Sequence, residues 1–445
     1  MVTEEQRDVI AAIATPSGAG GVGIVRLSGA GAIEIAGQVL HRRPSEFRDR
    51  ELCYGVARDR EGRRVDEVLA VAMRGPRSFT GEDVAEIHGH GGAVNMGRLL
   101  SAVLDAGARQ AEPGEFTRRA FENGRIDLTR AEAIASVIEA SSERAWRIAQ
   151  AQLEGELGRR IREERDEVIS LLADVEVSID FPEEDVEQAE LEGLAVRAEA
   201  IAGRLDALAA SFDVGRALRE GVEVALVGEV NAGKSSLLNA LARHERALVA
   251  DEPGTTRDVV EARVEWDGLA ITLVDTAGER EAQSEVERRG MELGRRRAEM
   301  ADLEVVVIPA ERAAAGEVPE SSRRRILALS KADRLEARPA GTGVWTSAHT
   351  GEGLDALRRV IVEAVSGGVR EADDGAVVTS ERQRRGIAAA AEALARANGR
   401  LVEGAPAEIV ALEVREASTK LAEVLGIEVG DEMLDDLFRR FCIGK

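Results

Sequence analysis

The chain has 445 residues, too many for one compact core, so two to four domains are expected. Its composition, 44% hydrophobic and 32% charged, is that of a globular protein in water. The formal net charge of −23 disfavours loose, sequence-independent binding to nucleic acid, which needs a cationic surface, so any RNA contact must use a local basic patch or a partner's surface.

No apolar run is long enough to span a membrane. The opening Met1–Arg7 lacks the basic-then-apolar order of a signal peptide. Cys53 and Cys442 alone cannot build a disulfide framework, so a reducing, cytoplasmic location is expected. Lysine occurs only at Lys234, Lys331, Lys420 and Lys445; every other residue of the 59 Lys plus Arg is arginine. In such a chain a surviving lysine is a candidate for a position that needs a compact ammonium.

Residues 7–123 alternate short apolar runs with glycine-rich turns. Val9–Ala14 and Gly23–Leu27 are predicted strands around a turn, as are Val68–Met73 and Val84–His88, with a helix over 93–106. His88 and His90, flanking Gly89, are expected as turn residues and not as metal ligands. From Asp127 the period becomes helical: Leu128, Ala131, Ile134, Val137, Ile138, Ser141, Ala145 and Ile148 form one stripe. Val168, Leu171, Leu172, Val175 and Ile179 continue it until Phe181-Pro182, and a further helix covers 189–212. At Val222–Val227 the pattern changes to a buried strand, and strands then alternate with helices to about residue 368, as in a doubly wound parallel sheet. Helical patterning returns after 376, with Ile409, Leu412, Leu421, Val424 and Leu425 as one stripe and Met433, Leu434, Leu437, Phe438 and Phe441 as another. The expected architecture is a multidomain α/β chain. It has an α+β N-terminal domain (1–123), a helical bundle in two parts (124–215 and 371–445), and an inserted Ras-like doubly wound domain (216–370). Two separate bundles are the alternative.

The inserted domain carries the chemistry. Gly228-Glu-Val-Asn-Ala-Gly233-Lys234-Ser235 fits the phosphate-loop pattern between a buried strand and a helix. Backbone N–H groups of Asn231, Ala232 and Gly233, with the helix start at Lys234, Ser235 and Ser236, would wrap the phosphates. Lys234 would reach the β- and γ-phosphates and Ser235 the Mg²⁺. Asp275-Thr276-Ala277-Gly278 follows a strand; Asp275 would hold Mg²⁺ through water and Gly278 would present an N–H to the γ-phosphate. Gly254-Thr255-Thr256 lies between these motifs, with Thr256 as the switch threonine that closes on Mg²⁺. Ser330-Lys331-Ala332-Asp333 stands where GTPases carry Asn-Lys-x-Asp. Asp333 can accept both guanine N–H groups and Lys331 can lie over the base, while the shorter Ser330 loses a contact. GTP specificity with weaker affinity is expected. Ser347-Ala348-His349 fits the last base-contacting loop. Glu279 occupies the place of the water-orienting glutamine of small GTPases and is expected to point to solvent, and no cis arginine finger is identifiable.

The order of motifs resembles the MnmE/TrmE family of tRNA-modification GTPases along essentially the whole chain. The resemblance rests also on Ile10-Ala-Ala-Ile-Ala-Thr-Pro16, Gly20–Gly29, Ser78-Phe-Thr-Gly-Glu-Asp83, Glu86-Ile-His-Gly-His-Gly-Gly92, Glu112-Pro-Gly-Glu-Phe-Thr-Arg-Arg-Ala-Phe121 and Phe441-Cys-Ile-Gly-Lys445. It implies K⁺-dependent hydrolysis. Asn231, with backbone carbonyls of Ala250 and Glu252 in the loop Ala250-Asp251-Glu252-Pro253-Gly254 and with Thr255 after it, would ligate the ion when two G domains meet. Glu287, twelve residues beyond Asp275, would align the attacking water. A 5-formyl- or 5,10-methylene-tetrahydrofolate would bind the N-terminal domain at Arg26, Glu86, Arg125 and Lys445. Cys442 is either a reactive thiol there or a small buried residue. The implied assembly is a homodimer that joins an FAD-dependent subunit, as a heterotetramer, to install a carboxymethylaminomethyl-type group on the wobble uridine of tRNA. A GTP-dependent ribosome-assembly switch is the alternative, as is a folate enzyme acting alone.

Overall fold

The computed structural model describes residues 8–180, 188–243, 260–275, 300–314, 325–335, 343–366 and 376–444. The chain divides into two compact units, Met1–Ala135 with Leu425–Lys445, and Ser136–Val424.

The first unit is built on a six-stranded sheet: β1 (Ile10–Ile13), β2 (Gly23–Ser28), β3 (Cys53–Arg58), β4 (Arg64–Met73), β5 (Val84–Gly89) and β6 (Arg109–Gln110), in the order β3-β4-β5-β2-β1-β6. All pairs are antiparallel except β1 with β6. Helices α1 (Ala32–Leu40) and α2 (Ala93–Asp105) supply apolar partners for one face. Val25, Leu27, Val68, Ala70, Ala85 and Ile87 pack there with Ile33, Ala36, Leu99 and Val103. Full burial of Ile87 or Leu99 is worth about 1.5–3 kcal/mol each. Side chains alternate along a strand, so Glu86 and His88 of β5 lie opposite this core.

The sequence reading missed β3 and β6 and began β4 four residues late, because Arg64–Glu67 is almost wholly charged. Asp66 nonetheless faces the core, where it accepts bonds from His90 N (2.7 Å), His90 Nδ1 (2.8 Å) and Asn95 Nδ2 (2.6 Å). These donors outweigh the cost of burial and hold its carboxyl below the usual aspartate range.

Helix α3 (Glu115–Glu122) and the start of α4 (Leu128–Glu139) meet the helix Asp431–Phe438: Phe121, Leu128, Ala131, Leu434, Phe438 and Phe441 form one small core. The tail then runs along Pro113, which bridges Ile443. A Cβ at Gly114 (φ 69°) would lie 2.6 Å from Phe438 O, so glycine permits this approach. Cys442 is exposed.

The second unit opens with α5 (Glu143–Glu154), α6 (Glu156–Asp180), α7 (Gln188–Ala210) and α8 (Phe212–Glu220). Ser142 caps α5 by accepting from Ala145 N at 3.2 Å, so the helix expected from Asp127 is broken there. A second six-stranded sheet follows: β7 (Val222–Val227), β8 (Val260–Trp266), β9 (Leu269–Asp275), β10 (Leu303–Pro309), β11 (Arg325–Ser330) and β12 (Val344–Trp345). Its order is β12-β11-β10-β7-β9-β8, parallel but for β8. Helices α9 (Lys234–Arg243), α10 (Ala310–Ala314) and α11 (Leu354–Ser366) belong to this doubly wound part. The chain returns through α12 (Glu381–Val402), which packs along α7, and α13 (Ala407–Leu425), so the helices before and after the sheet join in one bundle.

Ile138, Ile409 and Leu412, expected on apolar stripes, are exposed. The buried face of α13 is Val410, Val414, Ala417, Leu421 and Val424, spaced by four and three, and Ile409 and Leu412 stand off that stripe.

The passages into and out of the second sheet are stitched together. Ser211 Oγ accepts from Val378 N (3.1 Å), Gln152 Nε2 donates to Val377 O (2.6 Å), and Thr379 Oγ1 donates to Gln152 Oε1 (3.1 Å). Ile148, Ala217, Leu218 and Val377 share the core beneath the sheet.

Candidate functional site

The phosphate loop leaves β7 at Gly228, whose φ of 152° and whose closeness to Val307 O (2.4 Å from a notional Cβ) require glycine. Lys234 opens α9 almost fully buried, and its Nζ folds back on Gly228 O and Glu229 O, both at 2.9 Å. Burial pushes the ammonium below the usual lysine range, against the pull of Asp275. These two carbonyls hold the ammonium over the loop as a neutral substitute for phosphate oxygens. Ser235 and Ser236 are exposed at the helix start.

Asp275 ends β9 beside that helix. Its Oδ2 accepts from Ser235 Oγ, while its Oδ1 is buried with no hydrogen-bond partner among the described residues. A buried carboxylate oxygen left unpaired fits a hydrated Mg²⁺ held by Ser235 and, through water, by Asp275.

Asn231 is exposed and left-handed (φ 63°), and its side chain has no hydrogen-bond partner among the described residues. Its amide oxygen could serve as one ligand of a cation. The other residues expected around the ion, Ala250, Asp251, Glu252, Pro253, Gly254 and Thr255, lie outside the described residues, as do Thr256, Thr276, Ala277, Gly278, Glu279 and Glu287.

The base-reading loops adjoin. Asp333, in the short helical turn Ala332–Arg334, accepts from Ser347 Oγ at 2.6 Å. That bond holds its carboxyl below the usual aspartate range. Ser347 Oγ also accepts from His349 N (3.3 Å), and Ala332 N donates to Thr346 O (3.0 Å), so Ser347, Ala348 and His349 are tied to the Asp333 turn. Ser330 does not stand idle for want of reach. Buried, its hydroxyl is 2.6 Å from Ala232 O and 3.2 Å from Ile308 O, and Lys331 Nζ donates to Asn231 O at 2.6 Å.

In the first unit, Arg26 and Glu86 are register partners on β2 and β5, joined Nε to Oε1 at 2.9 Å. Glu86 Oε2 accepts from His88 Nε2 at 3.1 Å. The His88 bond comes first among the causes that keep the Glu86 carboxyl below its usual range; burial opposes it and Arg26 adds to it. Arg26 also reaches Gly444 O (Nη1, 3.4 Å) and lies over the Phe116 ring at 5.9 Å. The chain end is therefore brought to Arg26 and Glu86, although Lys445 itself lies outside the described residues. Arg125 is exposed, and its Cγ and Cδ pack beside Gly81. His88, within β5 as in the expected strand Val84–His88, lies two positions from Glu86 and so shares its face, a signal available in the sequence. Arg26, Glu86 and His88 thus form one hydrogen-bonded cluster, with both Glu86 carboxylate oxygens engaged.

Two family models match the chain: one described as MnmE helical domain over residues 128–442, and one described as GTP-binding protein TrmE N-terminus over residues 9–125. The chain is 40% identical over 458 residues to the tRNA modification GTPase MnmE of Geotalea uraniireducens (strain Rf4), covering 99% of both chains. It is 42% identical over 457 residues to the protein of that name from Synechococcus elongatus (98% of this chain, 99% of that one). It is 41% identical over 459 residues to that of Geobacillus kaustophilus (98% and 99%). A chain that carries both matches and aligns along nearly its whole length with such relatives belongs to the MnmE/TrmE family of tRNA modification GTPases.

Proposed function

We propose that residues 216–370 hydrolyse GTP and that hydrolysis drives modification of the wobble uridine of tRNA, together with an FAD-dependent partner, in the cytoplasm. The observation that carries the GTPase reading is the joint geometry of Lys234, Ser235 and Asp275 beside a base loop closed by Asp333 and Ser347. When GTP enters, the Lys234 ammonium exchanges two neutral carbonyls for charged phosphate oxygens, a stronger set of acceptors. Ser235, Thr256 and Asp275 would hold Mg²⁺, which neutralises phosphate charge when bound. Asn231, Ala250, Glu252 and Thr255 would hold K⁺ in the role an arginine plays elsewhere. Glu287 would orient the attacking water. Asp333 would accept both guanine N–H groups, a pair that adenine does not offer.

The first unit would bind a 5-formyl- or 5,10-methylene-tetrahydrofolate. Glu86 would take the pterin N–H groups, with Arg26, Arg125 and Lys445 as cationic partners, and the same unit would form the homodimer. The Arg26–Glu86 pair and the tail beside it support this reading.

Steady-state hydrolysis in matched KCl and NaCl, with ATP as control, tests the first part. Strong K⁺ stimulation and rejection of ATP are expected; equal rates in the two salts would overturn the K⁺ mechanism. Nucleoside composition of tRNA from a deletion strain tests the second. Intact wobble-uridine modification with defective ribosome assembly would favour an assembly switch instead.

A further inference from the structure

The base-reading loop is fastened to the phosphate loop at two consecutive carbonyls. Ser330 Oγ donates to Ala232 O (2.6 Å), with Ile308 O further off (3.2 Å), and Lys331 Nζ donates to Asn231 O (2.6 Å). Ser330 is 5% exposed. A Cβ built on Gly233 would meet Ser330 Oγ and Lys331 Cε at 3.8 Å, so the two loops touch with nothing between them. A serine hydroxyl has one proton. Directed at Ala232 O, it leaves no donor for a bound base, whereas an asparagine would bring two N–H donors. Asn231, whose own carbonyl is the one Lys331 holds, has a left-handed backbone at φ 63°, a conformation that asparagine adopts more readily than most residues.

We infer that Ser330 is a positioning residue for the cation step and not a reader of the base: with Lys331, it fixes the backbone that presents the Asn231 side chain to K⁺. The inference rests on the K⁺ reading given above. It makes guanine recognition and cation binding one coupled event. A base that orders Lys331 and Asp333 also steadies Asn231, and by reciprocity K⁺ tightens the hold on GTP.

The test uses the full-length chain with Ser330→Ala and Ser330→Asn. Three quantities are measured: the K⁺ half-saturation of GTP hydrolysis, the K⁺ half-saturation for tighter binding of a fluorescent non-hydrolysable GTP analogue, and GDP affinity in Na⁺ alone. Loss of one neutral hydrogen bond in Ser330→Ala should raise both K⁺ half-saturations about fivefold and leave GDP affinity within about twofold. Ser330→Asn, whose amide can still donate to Ala232 O, should keep the K⁺ half-saturation and bind GDP about fivefold more tightly through its second N–H. Melting temperature without nucleotide identifies a variant that does not fold; Ser330→Cys, of similar size with a weaker donor, then takes the place of Ser330→Ala. Equal weakening of GDP binding and K⁺ response would make Ser330 a general tether and overturn the inference, as would an unchanged K⁺ response. A wild-type chain indifferent to K⁺ would overturn the K⁺ reading itself, and this inference with it.

Discussion

Ser235 and Asp275 meet at the floor of the nucleotide site, and they share only half of the carboxylate: Oδ2 accepts the serine hydroxyl while Oδ1 is buried with no partner among the described residues. Such an atom is costly unless a cation or its water completes it. Asp275→Asn removes the charge and keeps the shape. Mg²⁺ affinity should fall roughly 10–100-fold, as for a lost outer-sphere partner, with the loss seen in Mg²⁺ titrations of GTP hydrolysis. Unchanged Mg²⁺ dependence would remove Asp275 from the site.

Asp333 accepts from the Ser347 hydroxyl, which holds its carboxyl below the usual aspartate range. Asp333→Asn replaces an acceptor by a group that is part donor, so GTP affinity should fall by about two orders of magnitude or more, and xanthosine triphosphate should be gained. Competition binding with the two nucleotides checks this. Ser347→Ala should weaken GTP binding in the same direction and by less.

The buried Arg119 joins three acids: Asp8 (2.6 Å), Glu115 (3.2 Å) and Glu82 (3.3 Å), with its side chain 6% exposed. Arg119→Ala leaves Asp8 and Glu115 with Arg109 and Glu82 with Ser28, and should destabilise the first unit by about 1–3 kcal/mol, measured by chemical denaturation.

The same cluster sets an acid limit. Burial raises the pKa of Asp8 and Glu115, but their bonds to Arg109 and Arg119 outweigh it, and both carboxyls lie below the ordinary values of 3.8 and 4.5. Glu86 is lowered as well, first by His88. A depressed folded-state pKa gives stability that is complete above the unfolded value and is lost as pH falls through the folded one. Stability should therefore hold above pH 4.5 and decline below it as these groups protonate. Removal of Arg119 should flatten the decline, read from denaturation midpoints across the acid range.

Gly215 lies under the returning chain: a Cβ there would sit 2.1 Å from Val378 O. Gly215→Ala should force the stitch at Ser211–Val378 apart and cost about 1–3 kcal/mol of stability in the second unit. An unaltered melting temperature would contradict this.

What the sequence discloses depends on how local the information is. The phosphate loop and the strand-end Asp275 are short strings whose neighbours in sequence are their neighbours in space, so both could be named and placed. The parallel sheet was likewise legible from Val222–Val227 and the alternation after it. Arg64–Glu67 hid the first four of the ten residues of β4 because its apolar alternation is broken by Asp66, whose burial is compensated by His90 and Asn95, far away in sequence. His88 falls in the expected strand Val84–His88, so its alternation with Glu86 is legible, but the pairing with β2 that sets Arg26 opposite Glu86 is not. Ser330 was read against the base it would touch, and its true acceptor, Ala232 O, is 98 residues away. Ile409 and Leu412 look like core in a one-dimensional pattern, but the phase of the helix is decided by the helices it meets.

Arg26 reaches Gly444 across 418 residues of chain, and Leu128 and Ala131 find apolar cover on Leu434, Phe438 and Phe441. During synthesis the opening sheet therefore leaves the ribosome long before its last partners do. Until then the apolar side of α4 and the bed of the tail beside Pro113 stay uncovered, in a chain that must meanwhile fold a second core. Loss of the final helix would thus be felt first at Phe121, Leu128 and Ala131, and loss of the tail beyond it at Arg26.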